Sequence, residues 1–377
     1  MSSDELIEFI NSLYKTNDSI SLHEPFFNDH DIELVKDCIN SSYVSSNGDF
    51  LIKFENEIKK ITGAKHAILC VNGTSALHLA CLACGINKDH EVITQSLTFT
   101  ATLNAISYVG ARALLFDVNK TSLGIDPKIL EAWLNENTDI ENGYCINKNT
   151  KKRIHACIPM HTFGNPSDIE EISRICKTRN ICIIEDCAES LGSFYDSKHT
   201  GLFGKMGVLS FNGNKIITTG GGGAIITDDD QLASYCRHIG TTAKQIHEYE
   251  FLHTEVGYNY RMPNINAALG CAQINRLDSY LSSKREIFKK YINFFSNYQH
   301  GEIFKSEDNK LSNNWLITAI YNSSSKRDRD LKKLIKNKIF CRIPWRPMHL
   351  LNIHKASIAG DSLDNTMYIY RHALNLP

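Results

Sequence analysis

The stretch Val208–Thr227, VLSFNGNKIITTGGGGAIIT, decides how the rest of the chain is read. A short apolar strand runs into Ser210 and Phe211, and a polar turn then carries one lysine, Lys215. Four glycines, Gly220 to Gly223, lead into a second strand-like run, Ala224 to Thr227. Lys215 stands between Asn214 and Ile216 in an otherwise uncharged stretch, so solubility does not account for it. Partial desolvation favours the free amine of a lysine, the form that attacks an aldehyde to give a Schiff base. Glycines let backbone approach closely and adopt conformations closed to other residues. A β-hairpin with a glycine-rich turn and an incidental lysine fits the same letters, so other motifs must decide.

Upstream, strands and helices alternate from Ala64 onward. AILCV, EVITQ, ARALLFDV, ACIPMH and ICIIED read as strands. Between them, helices follow NGTS, run through ATLNAISYVG, start at Asp126 and Pro127, and extend from Pro166 to Arg179. Asn135 to Lys152 reads as a surface excursion. This alternation implies an α/β fold with a mainly parallel, right-handed, doubly wound sheet, and the near-continuous apolar strands suit burial on both faces. Residues 1–20 read as an amphipathic helix with Leu6, Phe9, Ile10 and Leu13 on one face. Helices Asp31–Ile39 and Phe50–Ile61 flank the polar loop Ser41–Gly48. After Ile239 the rhythm breaks. A long helical pattern spans Ile265 to Tyr298, LITAIY is a strand, and IFCRIPWRPMHLLNIH begins as a strand and becomes a loop. The charge run SSSKRDRDLKKLIKNK reads as a solvated helix whose apolar face is Leu331, Leu334 and Ile335. Two domains are expected, a large one over 1–250 and a smaller C-terminal α+β one over 251–377.

Among 377 residues the net charge is −1, which argues against a nucleic-acid binder. The twelve cysteines show no paired CxxC spacing; Cys81 and Cys84 form one CxxC inside an apolar helix, read as structural thiols and not as a metal site. Unpaired cysteines at this frequency suit a reducing compartment, so a cytoplasmic protein is expected. The N-terminus is acidic where a signal peptide is basic, and no apolar run reaches membrane-spanning length.

Two further motifs carry chemistry. NGTSALHLA follows a strand and opens a helix, so Gly73, Thr74 and Ser75 present N–H groups and hydroxyls to an anion, although Thr and Ser are also ordinary caps. IIEDCAESLGS sets Asp186 at the carboxyl end of a buried strand, the edge where doubly wound sheets bind ligands, although capping of the next helix would also place an Asp there. Pyridoxal phosphate needs an amine for its aldehyde, a carboxylate for its ring nitrogen, a phosphate cradle and a stacking aromatic. Lys215, Asp186, Thr74 and Ser75 with Ser210, and Phe99 in SLTFTAT supply these four.

From about His23 to the C-terminus the chain resembles the nucleotide-sugar aminotransferases of pyridoxal-phosphate fold type I, the DegT-type family. The matching motifs include HEPFF, YVSSNG, NGTSALHLA, MHTFGNPSDI, EDCAESLGS, SFNGNK with TTGGGGA, GYNYRMPN and CRIPWRPMH. Within the family it looks most like the enzymes that aminate C4 of nucleotide-linked 4-keto-6-deoxy N-acetyl sugars on routes to legionaminic-acid-type or bacillosamine-type sugars, with glutamate as amino donor. The resemblance implies that Lys215 is the Schiff-base lysine and proton shuttle. It makes Asp186 the ring-nitrogen partner, Phe99 the stacking aromatic, and Thr74, Ser75 and Ser210 phosphate ligands. It makes Asn259 a phosphate ligand donated by a neighbouring subunit, hence a homodimer with shared sites. Arg261, His349, Tyr43 and Arg342 match positions near the sugar nucleotide, and a packed or capping role is the competing reading of each. His161 is at least as well read as a structural histidine.

Three departures stand out. Glu189 replaces a glutamine that donates to the ring hydroxyl oxygen in many relatives, and an ionised Glu cannot donate. Tyr43 replaces a frequent tryptophan. Relatives usually continue beyond the position of Pro377, so a further C-terminal segment is expected. The competing readings are a dehydratase of the same fold, in which histidine typically replaces the lysine, a non-catalytic binding or regulatory protein of this fold, and a plain glycine-rich nucleotide binder.

Overall fold

The computed structural model describes residues 2–15, 18–245 and 247–377. Ser2 and Glu5 close a capping box over α1 (Ser3–Tyr14), and Asn28 and Asp31 do the same for α2 (Asp29–Asn40). Each box satisfies N–H groups that a first helical turn leaves unpaired. Met1, Thr16 and Asn17 of the expected first helix lie outside the described residues. Helix α3 (Asp49–Thr62) follows, and then the alternation begins. It runs β1 (His66–Cys70), α4 (Gly73–Ala83), β2 (His90–Gln95), α5 (Thr100–Tyr108), β3 (Arg112–Phe116) and α6 (Pro127–Asn137). Next come β4 (Thr138–Glu141), β5 (Tyr144–Asn147), β6 (Arg153–Ile158), α7 (Ile169–Lys177) and β7 (Cys182–Asp186). The short pair β8 (Phe194–Tyr195) and β9 (Lys198–His199) precedes β10 (Met206–Ser210), β11 (Gly223–Thr227) and α8 (Asp230–Ile239).

The main sheet has the order β1-β11-β10-β7-β6-β2-β3, and the β4–β5 hairpin hangs from β6. Most neighbours are parallel, but β11 runs antiparallel to both β10 and β1. The mainly parallel sheet is the one expected, with β11 as an antiparallel strand within it. The link from β10 to β11 is a loop, and a parallel return needs a crossover that this loop does not supply. The excursion expected over Asn135–Lys152 is instead a hairpin. Its turn is Asn142–Gly143, with φ of 50° and 80°, the left-handed pair that two-residue hairpins favour. Helices α4, α5 and α8 cover one face of the sheet, whereas α6 and α7, and farther along α3, cover the other.

The C-terminal part comprises β12 (Lys244–Gln245), β13 (Leu252–His253), α9 (Asn264–Ile274), α10 (Leu277–Phe295), β14 (Gly301–Ile303), β15 (Lys310–Leu311) and β16 (Ile317–Tyr321). It ends with α11 (Ser324–Lys336), β17 (Ile358–Ala359), α12 (Asp364–His372) and β18 (Ala373–Leu376). The long helix expected from Ile265 to Tyr298 is broken after Ile274, where Arg276 leaves helical geometry and its guanidinium pairs with Asp31 of α2. Strands β14, β16 and β18 form a small antiparallel sheet. Leu6 and Ile10 of α1 are fully buried in its core beside Tyr291, Phe295 and Leu374. Burial of that pair contributes on the order of 4 kcal/mol. On α11 only part of the expected apolar face is inside: Leu334 is buried but Ile335 is exposed. Arg327 and Asp330 take the buried positions, Arg327 donating to the carbonyls of Tyr370 and Ala373 and Asp330 accepting from Ser3 and Tyr298. In the segment expected to begin as a strand, Ile339 and Arg342 make only isolated bridges and short 3-10 turns follow. Contacts cross residue 250 both ways, because α1 packs on the small sheet and β17 adds a strand beside β3. Among the described residues no helix is long and apolar enough to cross a membrane.

Candidate active site

Strands β1, β2, β7 and β10 point the same way, so their carboxyl ends bring Gly73, Ser96, Asp186 and Ser210 to one edge of the sheet. Asp186 is buried there. Its carboxylate accepts from the Thr102 hydroxyl at 2.6 Å and from the Ala188 N–H at 3.1 Å. Burial raises its pKa, and the hydrogen bonds and the more distant charges of Lys215 and His161 oppose this. Among the described residues no cationic side chain forms an ion pair with it. A buried carboxylate so placed is short of positive charge.

Lys215 lies in the β10–β11 loop with its side chain 13% exposed, and its ammonium is 3.1 Å from Oε1 of Glu189. The same ammonium sits 4.1 Å from the centre of the Trp315 ring. Burial pushes Glu189 up to about 7, against the pull of Lys215. Its second oxygen accepts from the Phe163 N–H at 2.9 Å. That N–H is aimed by a tight turn in which Phe163 has φ of 57° and Gly164 of 92°. A Cβ on Gly164 would fall 1.9 Å from Oδ1 of Asn313, so glycine is required. Asn313 donates to the carbonyls of Glu189 and Leu191. Trp315 donates from its indole to the Asn214 carbonyl at 2.6 Å and so fixes the Lys215 loop.

Asn72 caps α4 by accepting from the Ser75 N–H at 2.7 Å. Gly73, Thr74 and Ser75 form the first turn of the helix, with Ser210 packed against it. A Cβ on Gly223 would lie 2.7 Å from the Gly73 nitrogen, so β11 passes flush against this turn. Phe99, 47% exposed, begins α5. Its ring centre is 6.1 Å from that of Trp345, which lies 4.9 Å from Phe163. Arg342 lines the adjoining cleft of about 680 Å³ together with Phe163, Asn214, Trp315 and Trp345. Nδ1 of His349 is 2.7 Å from the Ser96 hydroxyl, and burial lowers its pKa.

Three of the expected site residues stand apart. Tyr43 is exposed beyond α2, and its carbonyl accepts from Asn264 at 2.6 Å. Asn259 and Arg261 are exposed on a segment that pairs with Thr241 and Cys70. Among the described residues none of the three contacts Lys215, Asp186 or Glu189. His161 is fully buried, 3.0 Å from Glu185 and accepting from the Ser167 N–H, as a structural histidine would be. Sequence reasoning missed Thr102, Phe163, Asn313 and Trp315. The first two sit inside motifs already singled out, but nothing local marks Asn313 and Trp315, which reach the site from the far side of the chain.

Comparison with known proteins identifies the family. The model of the DegT/DnrJ/EryC1/StrS aminotransferase family matches residues 26–377. GDP-perosamine synthase of Escherichia coli O157:H7 is 35% identical over 338 residues, covering 89% of this chain and 87% of its own. The UDP-4-amino-4,6-dideoxy-N-acetyl-beta-L-altrosamine transaminase of Campylobacter jejuni subsp. jejuni serotype O:23/36 (strain 81-176) is 31% identical over 341 residues, covering 89% and 86%. The crystal structure of a DegT DnrJ EryC1 StrS aminotransferase from Brucella abortus matches with a TM-score of 0.84 at 26% identity, over 93% of this chain and 90% of that one. The chain thus belongs to the DegT/DnrJ/EryC1/StrS aminotransferase family, as a pyridoxal-phosphate-dependent nucleotide-sugar aminotransferase of fold type I.

Proposed function

We propose that the enzyme moves an amino group from glutamate to C4 of a nucleotide-linked 2-acetamido-2,6-dideoxy-4-keto-hexose. The observation that carries this reading is Asp186, a buried carboxylate with no cation of its own, on the same sheet edge as Lys215. That donor set fits pyridoxal phosphate, whose protonated ring nitrogen would answer Asp186 and whose aldehyde would take Lys215. The close fit of Gly223 and Ser210 around the first turn of α4 suits a phosphate, held by Gly73, Thr74, Ser75 and Ser210, and Phe99 offers a free ring face. When bound, the cofactor supplies an electron sink for the carbon that gives up or gains a proton. Lys215 moves that proton. Asp186 keeps the ring nitrogen protonated, and Phe163, Trp315 and Trp345 limit water. Arg342 and His349 bind the sugar nucleotide, joined by Tyr43 and Arg261.

Glu189 fills its role in its protonated form. Held up to about 7, it retains a proton with which to donate to the cofactor's ring oxygen. Because only the protonated form donates, cofactor affinity is present below that value and declines as pH rises through it. Titration by absorbance should show wild-type affinity falling roughly tenfold between pH 6.5 and pH 8, the limit for one linked proton. Glu189→Gln should lack this component. Identical profiles for the two proteins would remove it.

The exposed Asn259 and Arg261 suit a site completed by a second subunit. Tyr249, Phe251 and Val256 beside them are exposed as well, an apolar surface that a homodimer would cover. Mixing inactive Lys215→Ala with an inactive Asn259→Ala/Arg261→Ala double variant should restore part of the activity. No recovery in verified mixed dimers, or an active monomer by light scattering, would rule out shared sites.

A second reading concerns the nucleotide. The C. jejuni relative is named for a UDP sugar, whereas three relatives at 35%, 34% and 32% identity are named GDP-perosamine synthase, which favours a GDP-linked sugar. The free cysteines suit a reducing compartment, which supports a cytoplasmic enzyme. Enzyme, cofactor and glutamate incubated with each UDP- and GDP-linked 4-keto sugar should give the 4-amino product by mass and NMR. Turnover of a 3-keto sugar with no amination of any 4-keto sugar would overturn the assignment.

A further inference from the structure

A second lysine lies beside Lys215, and the mechanism above leaves it without a task. Lys284, on α10, is half-buried and donates to the carbonyl of Trp315 at 3.2 Å. Among the described residues it forms no ion pair. Burial alone lowers it to about 8, so it is still a cation at neutral pH, with no carboxylate acting on it. Lys284 and Lys215 line one cavity of about 130 Å³, with His23, Thr218, Gln273 and Tyr280. His23 is neutral there, burial and the two lysines lowering it to about 3, and its buried Nδ1 has no hydrogen-bond partner. The one carboxylate on the lining, Glu24, is exposed at the rim.

Among the described residues Lys284 has no counter-ion, whereas Lys215 is already paired with Glu189, so an anion entering this cavity would be answered by Lys284. The two lysines also bracket a single residue. Trp315 has its ring at the Lys215 ammonium and its carbonyl at the Lys284 ammonium, so both amines touch the same residue from its two ends. The cleft carrying Arg342 opens on the other side, and the two spaces meet at His23. A donor whose amine reacts at the Lys215 end would carry its far carboxylate toward Lys284. We infer that Lys284 binds the side-chain carboxylate of the amino donor and selects dicarboxylic amino acids. This rests on the aminotransferase reading for the donor's identity, but not for the existence of the anion site.

The test uses holoenzyme and glutarate, a dicarboxylate without an amine, with butyrate as the one-carboxylate control. By calorimetry, Lys284→Met should weaken glutarate binding by about tenfold or more, the worth of one hydrogen bond to a charged group, and leave butyrate unchanged. Lys284→Arg should keep most of the glutarate affinity. In the half-reaction followed by cofactor absorbance, Lys284→Met should lose its preference for L-glutamate over L-alanine by a similar factor. Unchanged glutarate affinity in a folded Lys284→Met, or an equal loss for glutamate and alanine, overturns the inference. If no amino acid changes the wild-type spectrum while glutarate still binds through Lys284, the aminotransferase reading falls and the anion site stands. Should Lys284→Met fail to fold, Lys284→Gln is read in the same way.

Discussion

Asp186 is a carboxylate held inside the protein by one hydroxyl and one backbone N–H, with no cationic side chain paired to it among the described residues. Such a group is costly to ionise, and burial does raise its pKa. Much of the neighbouring architecture is arranged around this imbalance. Strand order sets β7 next to β10, so the end that carries Asp186 adjoins the loop that carries Lys215. The crossover after β2 brings Thr102 of α5 over the carboxylate. In the proposed reading the missing positive charge arrives with the cofactor, which makes its binding and the neutralisation of Asp186 one event.

The other half of the site is fixed from a distance. Asn313 and Trp315, which lie just before β16, hold the Glu189 turn and the Lys215 loop by hydrogen bonds to backbone carbonyls. The Phe163–Gly164 turn, strained in the left-handed region, points an N–H at Glu189 and packs against Asn313. Residues far apart in the chain therefore position one lysine, and disturbance of the small sheet would be felt at the Lys215 loop. Glu189 shows how burial can change a residue's chemistry. At about 7 it is far easier to protonate than an exposed carboxylate, although its letter in the sequence suggests otherwise.

What was legible in the sequence was local. Lys215 stood out in an uncharged stretch, Asp186 at the end of an apolar run, and Gly73 to Ser75 at a strand-to-helix turn. Strand-helix alternation gave the mainly parallel sheet. The rest depended on contacts that no window of sequence contains. The antiparallel course of β11 follows from the absence of a crossover helix, and the break after Ile274 places Arg276 against Asp31. Asn142–Gly143 was a readable hairpin signal that the surrounding polar residues obscured. Ile335 kept the right spacing for a buried face, but the charged network of Arg327 and Asp330 took that place. Lys284 and Trp315 carry no motif, and only packing brings them to Lys215.

Peptide mapping after borohydride reduction tests the central claim most directly. The purified protein, loaded with pyridoxal phosphate, should absorb in the visible, bleach on reduction, and yield the pyridoxyl group on the peptide containing Lys215. Asp186→Asn treated alongside should load more weakly, because a neutral amide cannot balance a protonated ring nitrogen. A pyridoxyl group found on Lys284 or any other lysine, with Lys215 unmodified, would contradict the account.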